Sequence, residues 1–189
     1  MKRSQINDAI QQASNYFKQH HWHLPPKPQW DVTDFGLGNF AEYGLVLINL
    51  AEEPEYCEKL MYARKNQKTP AHAHKKKKED IIVRNGEMAI QLWLGSPATL
   101  KNDGIFEIQI NGSMRTINQQ ETISLRSGER ITLVPGIYHE FYPLSEECII
   151  GEVSTANDDV NDNFFVNKDV GRFSEIEEDE KPIIKLINE

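Results

Sequence analysis

The 189-residue sequence has little cysteine, lacks a long apolar run and has fewer basic than acidic side chains. Two cysteines, Cys57 and Cys148, are too few for a disulfide framework and do not have metal-binding spacing. No run of about 18 apolar residues occurs, and the start, MKRSQINDAIQQ, lacks the apolar core of a signal peptide. A net charge of −8 disfavours nucleic acid or an anionic membrane as the main partner. We therefore expect a cytoplasmic protein with reduced thiols and a small-molecule partner.

The apolar spacing near the N-terminus is that of an amphipathic helix. Apolar side chains recur three or four residues apart at Ile6, Ala9, Ile10, Ala13 and Phe17. This spacing predicts a helix over residues 5–19, with Ser4 as its cap, inside an N-terminal helical segment that spans 1–25. We expect the helix to pack on a sheet. Because no composition shift or linker marks a second unit, residues 1–189 are predicted to form a single domain.

Most of the remaining chain has the pattern of short β-strands. Turn residues separate eight apolar runs: GLVLINLA, EKLMYAR, DIIVRN, EMAIQLWL, IFEIQIN, TISLRSG, ERITLVPG and CIIGEVS. Between the third and fourth runs, Asn85-Gly86 predicts a two-residue hairpin. Strands at this spacing are typical of a sandwich or a small barrel. The acidic segment 165–189 ends the chain, and its SEIEEDEKP stretch is typical of a solvated turn or short helix.

Two histidines alternate in the stretch TPAHAHKKKKEDIIVRNG. Alternate residues of an extended strand share a face, so His72 and His74 are expected to point the same way. With the carboxylate of Glu79 they form a nitrogen and oxygen ligand set that suits Mn, Fe, Co, Ni or Zn. His139, in LVPGIYHEFYP, is the candidate for a ligand from a distant strand. An isolated His-x-His pair is more often two surface histidines beside a solubilising lysine run than a metal site. A second motif, around His139, makes the metal site the favoured interpretation here.

The two motifs together resemble the metal-binding motifs of the cupin superfamily. Residues 72–86 follow the pattern H-x-H-x4-E-x6-G, and Gly128, Gly136 and His139 keep the spacing of the second motif. Asn66 stands where the first motif often opens with glycine, a departure that removes no metal ligand. The resemblance implies an all-β fold with flanking helices, the cupin double-stranded β-helix or jelly-roll barrel. It also implies one divalent ion held by the three histidines and the motif's glutamate.

A finer resemblance, to the D-lyxose ketol-isomerases, spans about residues 59–173. It is carried by HAHKKKKEDIIVRNG, QLW, PGIYHEF and above all GEVSTANDDVNDNFF followed by GRFSEIEEDE. Members of that family are manganese-dependent homodimeric cupins that interconvert D-lyxose with D-xylulose and, more slowly, D-mannose with D-fructose. The resemblance therefore implies a sugar substrate, a homodimer and Mn²⁺. The same ligand set also accepts Co²⁺, Ni²⁺, Zn²⁺ or Fe²⁺.

The chemistry of aldose–ketose isomerisation assigns further residues. The C2 proton of a free sugar is weakly acidic, so the reaction needs a Lewis acid on the sugar oxygens and a carboxylate base. Glu152, among apolar residues in CIIGEVS, is the candidate base. Strand alternation puts Lys77 on the side of Glu79, where its ammonium can stabilise charge on the sugar oxygens or move a proton between them. Lys59 and Asp158 match active-site positions of the family. Each assignment has a plainer alternative. Glu152 can be a solvent-facing carboxylate, Lys59 an exposed strand lysine and Asp158 a turn residue that bonds its own backbone.

Three other functions stay open from the sequence. A non-haem iron dioxygenase uses the same ligands, although this lysine-rich site is more polar than such a pocket is expected to be. A non-catalytic sugar-binding cupin needs neither the ion nor Glu152. A phosphosugar isomerase is suggested by the four lysines, because cations neutralise phosphate. Strand alternation, however, sends at least two of those lysines to solvent.

Overall fold

A computed structural model of the chain describes residues 1–100, 104–158, 161–171 and 174–189. Small parts of the segments that carry the family resemblance, residues 159–160 and 172–173, lie outside the described residues. The elements in chain order are α1 Arg3–Gln19, β1 Gln29–Thr33, α2 Phe40–Tyr43, β2 Leu45–Glu52, β3 Tyr56–Arg64, β4 His72–Ala73, β5 Glu79–Asn85, β6 Glu87–Trp93, β7 Ile105–Ile110, β8 Ser113–Asn118, β9 Thr122–Arg126, β10 Arg130–Leu133, β11 Tyr138–Pro143, β12 Glu147–Thr155 and β13 Phe164–Phe165.

The strands form two antiparallel sheets. One has eight strands in the order β1-β2-β3-β12-β5-β10-β7-β8, and the other has five in the order β13-β4-β11-β6-β9. Neighbouring strands come from distant parts of the chain, as where β12 lies between β3 and β5. This topology confirms the predicted all-β double-stranded β-helix.

The hydrophobic core lies between the two sheets. Strand alternation turns every second side chain inward, so Met61, Val83 and Ile131 of the larger sheet meet Ile90 and Phe141 of the smaller one. Each of these side chains is at most 5% exposed. Complete burial of such a side chain contributes about 1.5–3 kcal/mol, so this cluster is a main source of stability.

Helix α1 packs on the outer face of the eight-stranded sheet, as predicted. Its buried Ile6, Ile10 and Phe17 belong to one cluster with Val46 and Leu60 of the sheet. The alternate side chains of β2 and β3 face the barrel interior, so these strands are covered on both faces. No helix among the described residues is long and apolar enough to span a bilayer.

The start of α1 differs from the prediction. The helix begins at Arg3 rather than residue 5, and Ser4 lies inside its first turn instead of capping it. The Ser4 hydroxyl donates to Asp179 over 2.7 Å. A cap must precede the helix to accept a bond from its first free N–H groups, and the residue in that position is Lys2, whose side chain makes no such bond.

The predicted Asn85-Gly86 hairpin is wrong. Its flanking strands lie in different sheets, since β5 pairs with β10 and β12 while β6 pairs with β9 and β11. Gly86 has φ +94°, and a Cβ there would lie 2.5 Å from the Ser145 hydroxyl oxygen. The dipeptide therefore supplies a sharp turn, as expected of its residues, but the turn carries the chain from one sheet to the other.

The acidic C-terminal stretch is largely exposed, as predicted, and it is also bound to α1. Arg3 is fully buried and donates to Glu178 over 2.6 and 2.9 Å and to Glu189 over 3.1 Å. Hydrogen bonds from this guanidinium hold the pKa of the Glu178 and Glu189 carboxyls below their usual range. Residues 174–181 form no helix. The described end of segment 165–189 thus ties the two ends of the chain together.

Both cysteines are free and buried, as expected of reduced thiols. Burial raises the pKa of the Cys57 thiol to about 11 and that of Cys148 to about 12. Because the thiolate is the reactive form, neither side chain is suited to nucleophilic chemistry near neutral pH.

Candidate active site

A cavity of about 280 Å³ lies between the two sheets. It is near the small end of the range for ligand sites, a size that suits a monosaccharide. Apolar side chains such as Met61, Ile81 and Phe141 form part of its wall. Polar groups from both sheets also line the cavity, among them Asp31, Asn49, Lys59, Lys77, Glu152 and His139.

Three histidines converge on one side of this cavity. His72 on β4 lies directly opposite His139 on β11, and their ring centroids are 4.2 Å apart. His74 follows β4, and one nitrogen from each of the three rings lies within 4.8 Å of the others. The His-x-His motif and the distant histidine are thus brought together as predicted.

The hydrogen bonds of the three rings leave the same nitrogen free on each. Every Nδ1 lies against a backbone carbonyl, and because a carbonyl only accepts, Nδ1 carries a hydrogen, which leaves Nε2 as the ring nitrogen that can bind a cation. Burial, with the nearby His139 and His74 rings, lowers the pKa of His72 well below its usual value. Neutral rings oriented by carbonyls are typical of metal-binding histidines. The three pairs are His72–Pro70 at 2.9 Å, His74–Asp162 at 2.8 Å and His139–Ile137 at 3.2 Å.

Glu79 completes a set of groups that fits a divalent cation. Its Oε1 lies 3.2 Å from the His139 Nε2 and 3.4 Å from the His74 Nε2. Among the described residues, Glu79 Oε1 and His74 Nε2 are buried without a hydrogen-bond partner. Buried lone pairs that face one another without a donor are unfavourable unless a cation lies between them. Three imidazoles and one carboxylate therefore fit a first-row divalent ion.

Turns next to the motifs position these groups. Gly136 has φ +91°, a conformation that favours glycine, and its N–H donates 2.7 Å to the backbone carbonyl of His74. Asn66 has φ +71°, which asparagine tolerates better than most residues. The departure from glycine at Asn66 thus retains the turn that the motif uses.

Lys77 is the one lysine of the run that turns into the cavity. Its ammonium lies 2.8 Å from Glu79 Oε2 and 3.0 Å from Glu152 Oε1. Burial opposes a charged lysine, yet the two carboxylates outweigh it and raise the pKa of Lys77 above its usual range. For Glu79, burial opposes the ion, but the Lys77 ammonium outweighs it and helps to hold the pKa of Glu79 well below normal. Lys75, Lys76 and Lys78 are exposed, so the prediction that at least two lysines of the run face solvent is confirmed.

Glu152 and Lys59 lie side by side in the wall of the cavity. They are cross-strand partners on β12 and β3, and the Lys59 ammonium is 3.9 Å from Glu152 Oε1. Both are buried, which excludes the solvent-facing interpretation of each. Lys59 also donates to Asn157 over 3.1 Å. Two ammonium groups thus flank one oxygen of Glu152 in the cavity.

The structure does not bring Asp158 to the described cavity lining. Its carboxylate accepts bonds from the backbone and side-chain amides of Asn161, at 2.9 and 3.0 Å, and its carbonyl accepts from the backbone of Asp162. These bonds are typical of an aspartate that stabilises its own turn, which was the alternative to a role in substrate binding. A role in substrate binding stays a prediction.

Sequence reasoning missed several residues at the cavity. Asn49 could have been predicted, because it shares the inward face of its strand with Leu45 and Leu47, where a polar side chain is unusual. Asp31 lies on β1, which has no clear strand pattern. Phe165 stacks beside His72, with ring centroids 5.2 Å apart. Its position on a two-residue strand has no signal in the sequence.

Comparison with known proteins identifies the family. A sequence model described as D-lyxose isomerase matches residues 27–189. The D-lyxose/D-mannose isomerase of Escherichia coli O157:H7 is 35% identical over 223 aligned residues, which cover 100% of this chain and 98% of that protein. The D-lyxose/D-mannose isomerase of Serratia proteamaculans is 36% identical over 228 aligned residues, with coverage of 100% and 97%.

Solved structures support the fold. The L-ribose isomerase of Cellulomonas parahominis with L-ribose superposes with a TM-score of 0.70 at 17% identity. The L-ribose isomerase of Acinetobacter sp. DL28 in complex with L-ribose superposes with a TM-score of 0.71 at 15% identity. Both matches cover 94% of this chain and 98% of the other. The family model covers most of the sequence and two curated relatives exceed 30% identity across all of it, so this chain belongs to the D-lyxose isomerase family.

Proposed function

We propose that the protein is a metal-dependent aldose–ketose isomerase that converts D-lyxose to D-xylulose and D-mannose to D-fructose. The names of the curated relatives support the reaction and the sugars. The observation that carries the proposal is the Lys77 ammonium, which links Glu79, beside the three imidazoles, to Glu152 in a sugar-sized cavity. A cation site, a base and a proton donor thus lie within reach of one small ligand.

The proposed metal ligands are His72, His74, Glu79 and His139. A divalent ion held there supplies Lewis acidity, which stabilises negative charge on the sugar oxygens as a carbon-bound proton leaves. Mn²⁺ is the proposed ion by family resemblance, although it binds more weakly than Co²⁺, Ni²⁺ or Zn²⁺ at most sites of this kind. Cellular availability then decides occupancy.

Glu152 is proposed to take the proton from C2 and return it to C1 of the enediol. A buried carboxylate in the wall of a substrate cavity is a typical general base for such a transfer. Lys77, in contact with Glu152, is proposed to donate a hydrogen bond to the sugar oxygens or to move a proton between O1 and O2. Lys59 and Asp158 are proposed as substrate-binding residues, Lys59 from its place in the cavity wall and Asp158 from family resemblance alone.

We further propose one domain over residues 1–189, a homodimer and a cytoplasmic location. The free thiols suit a reducing compartment. The homodimer is proposed from family resemblance and from the exposed edge strand β8, which a partner can cover. Light scattering at micromolar concentration is expected to give twice the monomer mass, and a monomer mass would remove the dimer.

The proposal is tested by incubating metal-stripped protein with D-lyxose, D-mannose, D-xylose and D-ribose, with and without added Mn²⁺. Ketose is expected from D-lyxose and D-mannose only when Mn²⁺ is present. Oxygen uptake in place of ketose would indicate a dioxygenase, and sugar binding without turnover a binding protein. Turnover confined to phosphorylated sugars would indicate a phosphosugar isomerase, for which the three exposed lysines give no support.

A further inference from the structure

One buried carboxylate holds the turn that follows His74. Asp162 is 4% exposed and lies 88 residues away from His74 in sequence. Its Oδ1 accepts bonds from the backbone N–H groups of Lys75 at 2.9 Å and Lys76 at 3.1 Å. Its Oδ2 accepts from Lys76 at 3.1 Å and from Lys77 at 2.9 Å. Three consecutive N–H groups thus surround one carboxylate.

The backbone of Asp162 contacts the preceding residue of the same turn. Its carbonyl accepts the Nδ1–H of His74 over 2.8 Å and so fixes both the tautomer and the direction of that ring. The carbonyl contact lies just before the lysine run, and the carboxylate contacts lie within it. The side chain fixes the turn that presents Lys77, and the main chain fixes the imidazole that precedes it.

The backbone of Asp162 is itself held by a hydrogen bond to Asp158. Its N–H donates 2.9 Å to the carbonyl of Asp158, and the Asp158 side chain is bonded to Asn161. The residue that carries this carboxylate is therefore itself hydrogen-bonded to Asp158. This arrangement transmits the position of one loop to another that carries site residues.

We propose that Asp162 is a positioning residue, which aligns His74 Nε2 with the cation site and Lys77 Nζ between Glu79 and Glu152. This inference rests on the proposed function, because it requires that the site bind a divalent ion. Asp162 does not contact the substrate in this account. It acts through the ring of His74 and through the backbone of Lys77.

The test compares Asp162→Asn with the wild-type protein by titrating each metal-stripped protein with Mn²⁺. The amide places an NH₂ group against backbone N–H donors, so the turn loses part of its support while side-chain size is kept. The Kd for Mn²⁺ is expected to rise about 10- to 100-fold, as for other groups that orient metal-binding histidines. The visible absorption of the Co²⁺-loaded protein should change as well, since it reports ligand geometry.

Asp169→Asn is the matched control. Asp169 is exposed on the same C-terminal segment, so its replacement removes the same charge and leaves the turn intact. The control should bind Mn²⁺ with a Kd within about twofold of wild type, because an exposed charge is screened by solvent and salt. A drop in affinity shared by both variants would indicate a general charge effect and overturn the positioning role.

Thermal unfolding of the metal-free proteins separates folding from positioning. A merely structural role would lower the melting temperature and leave the Kd of the folded protein unchanged. If Asp162→Asn fails to fold, Asp162→Ser takes its place, because a hydroxyl accepts one bond and leaves room for water. Equal Mn²⁺ binding by wild type and a folded variant would overturn the role of Asp162 alone. Absence of Mn²⁺ binding by the wild type would overturn the proposed function too.

Discussion

Glu152→Gln is expected to lower the turnover of D-lyxose about 10²- to 10⁴-fold, the usual contribution of a general base. The amide keeps the shape of the side chain and one acceptor oxygen, which still faces the Lys77 ammonium now 3.0 Å from Glu152. It cannot accept a proton from carbon. Metal content and sugar affinity should therefore stay near the wild-type values while kcat falls.

The measurement is steady-state conversion of D-lyxose by the Mn²⁺-loaded variant, with metal content determined on the same sample. Glu107→Gln is the matched control, because Glu107 is an exposed strand carboxylate of the same eight-stranded sheet. The control should retain wild-type activity. Near wild-type turnover by Glu152→Gln would show that another group is the base.

His139→Ala should abolish stable binding of the metal ion. His139 is 1% exposed, and its Nε2 lies 3.2 Å from Glu79 Oε1 at the centre of the proposed ligand set. Removing a direct ligand should cost more than the roughly 10- to 100-fold loss caused by removing a group that only orients one. Turnover is then expected to vanish, because no Lewis acid acts on the sugar oxygens.

Elemental analysis after loading with Mn²⁺ and desalting checks this expectation. His23→Ala is the control, because His23 is exposed and outside the cavity lining, and it should retain the ion. Undiminished metal in His139→Ala would remove the ligand assignment. A loss shared with His23→Ala would point to non-specific binding by surface histidines.

Local spacing predicted the parts of the site that lie close together in sequence. Alternation along an extended chain placed Lys77 and Glu79 on one side, and the structure has both in the cavity. The apolar residues around Glu152 made it the candidate base but left a solvent-facing side chain open, and the structure buries it. The amphipathic spacing of α1 predicted a sheet-covering helix because burial of one face is a local property of the sequence.

Contacts between distant segments were beyond such reasoning. The Asn85-Gly86 turn has the expected chemistry, but which strands pair across it depends on the whole barrel. Asp162 is placed beside His74 by the pairing of β13 with β4, a contact between short strands with no periodic signal. The bond from Arg3 to Glu178 joins residues 175 positions apart, and no local pattern predicts it either. Periodicity predicts which face of a strand is buried and says nothing about its neighbour.

The most direct test of the account is conversion of D-lyxose in D₂O by metal-stripped protein, followed by NMR before and after Mn²⁺ is restored. The account predicts D-xylulose only after Mn²⁺ is added, with some deuterium at C1, because the proton that a carboxylate base carries from C2 can exchange with solvent on its way. D-xylulose without deuterium at any stage would contradict proton transfer by Glu152 and indicate a hydride shift, and no ketose at all would contradict the isomerase itself.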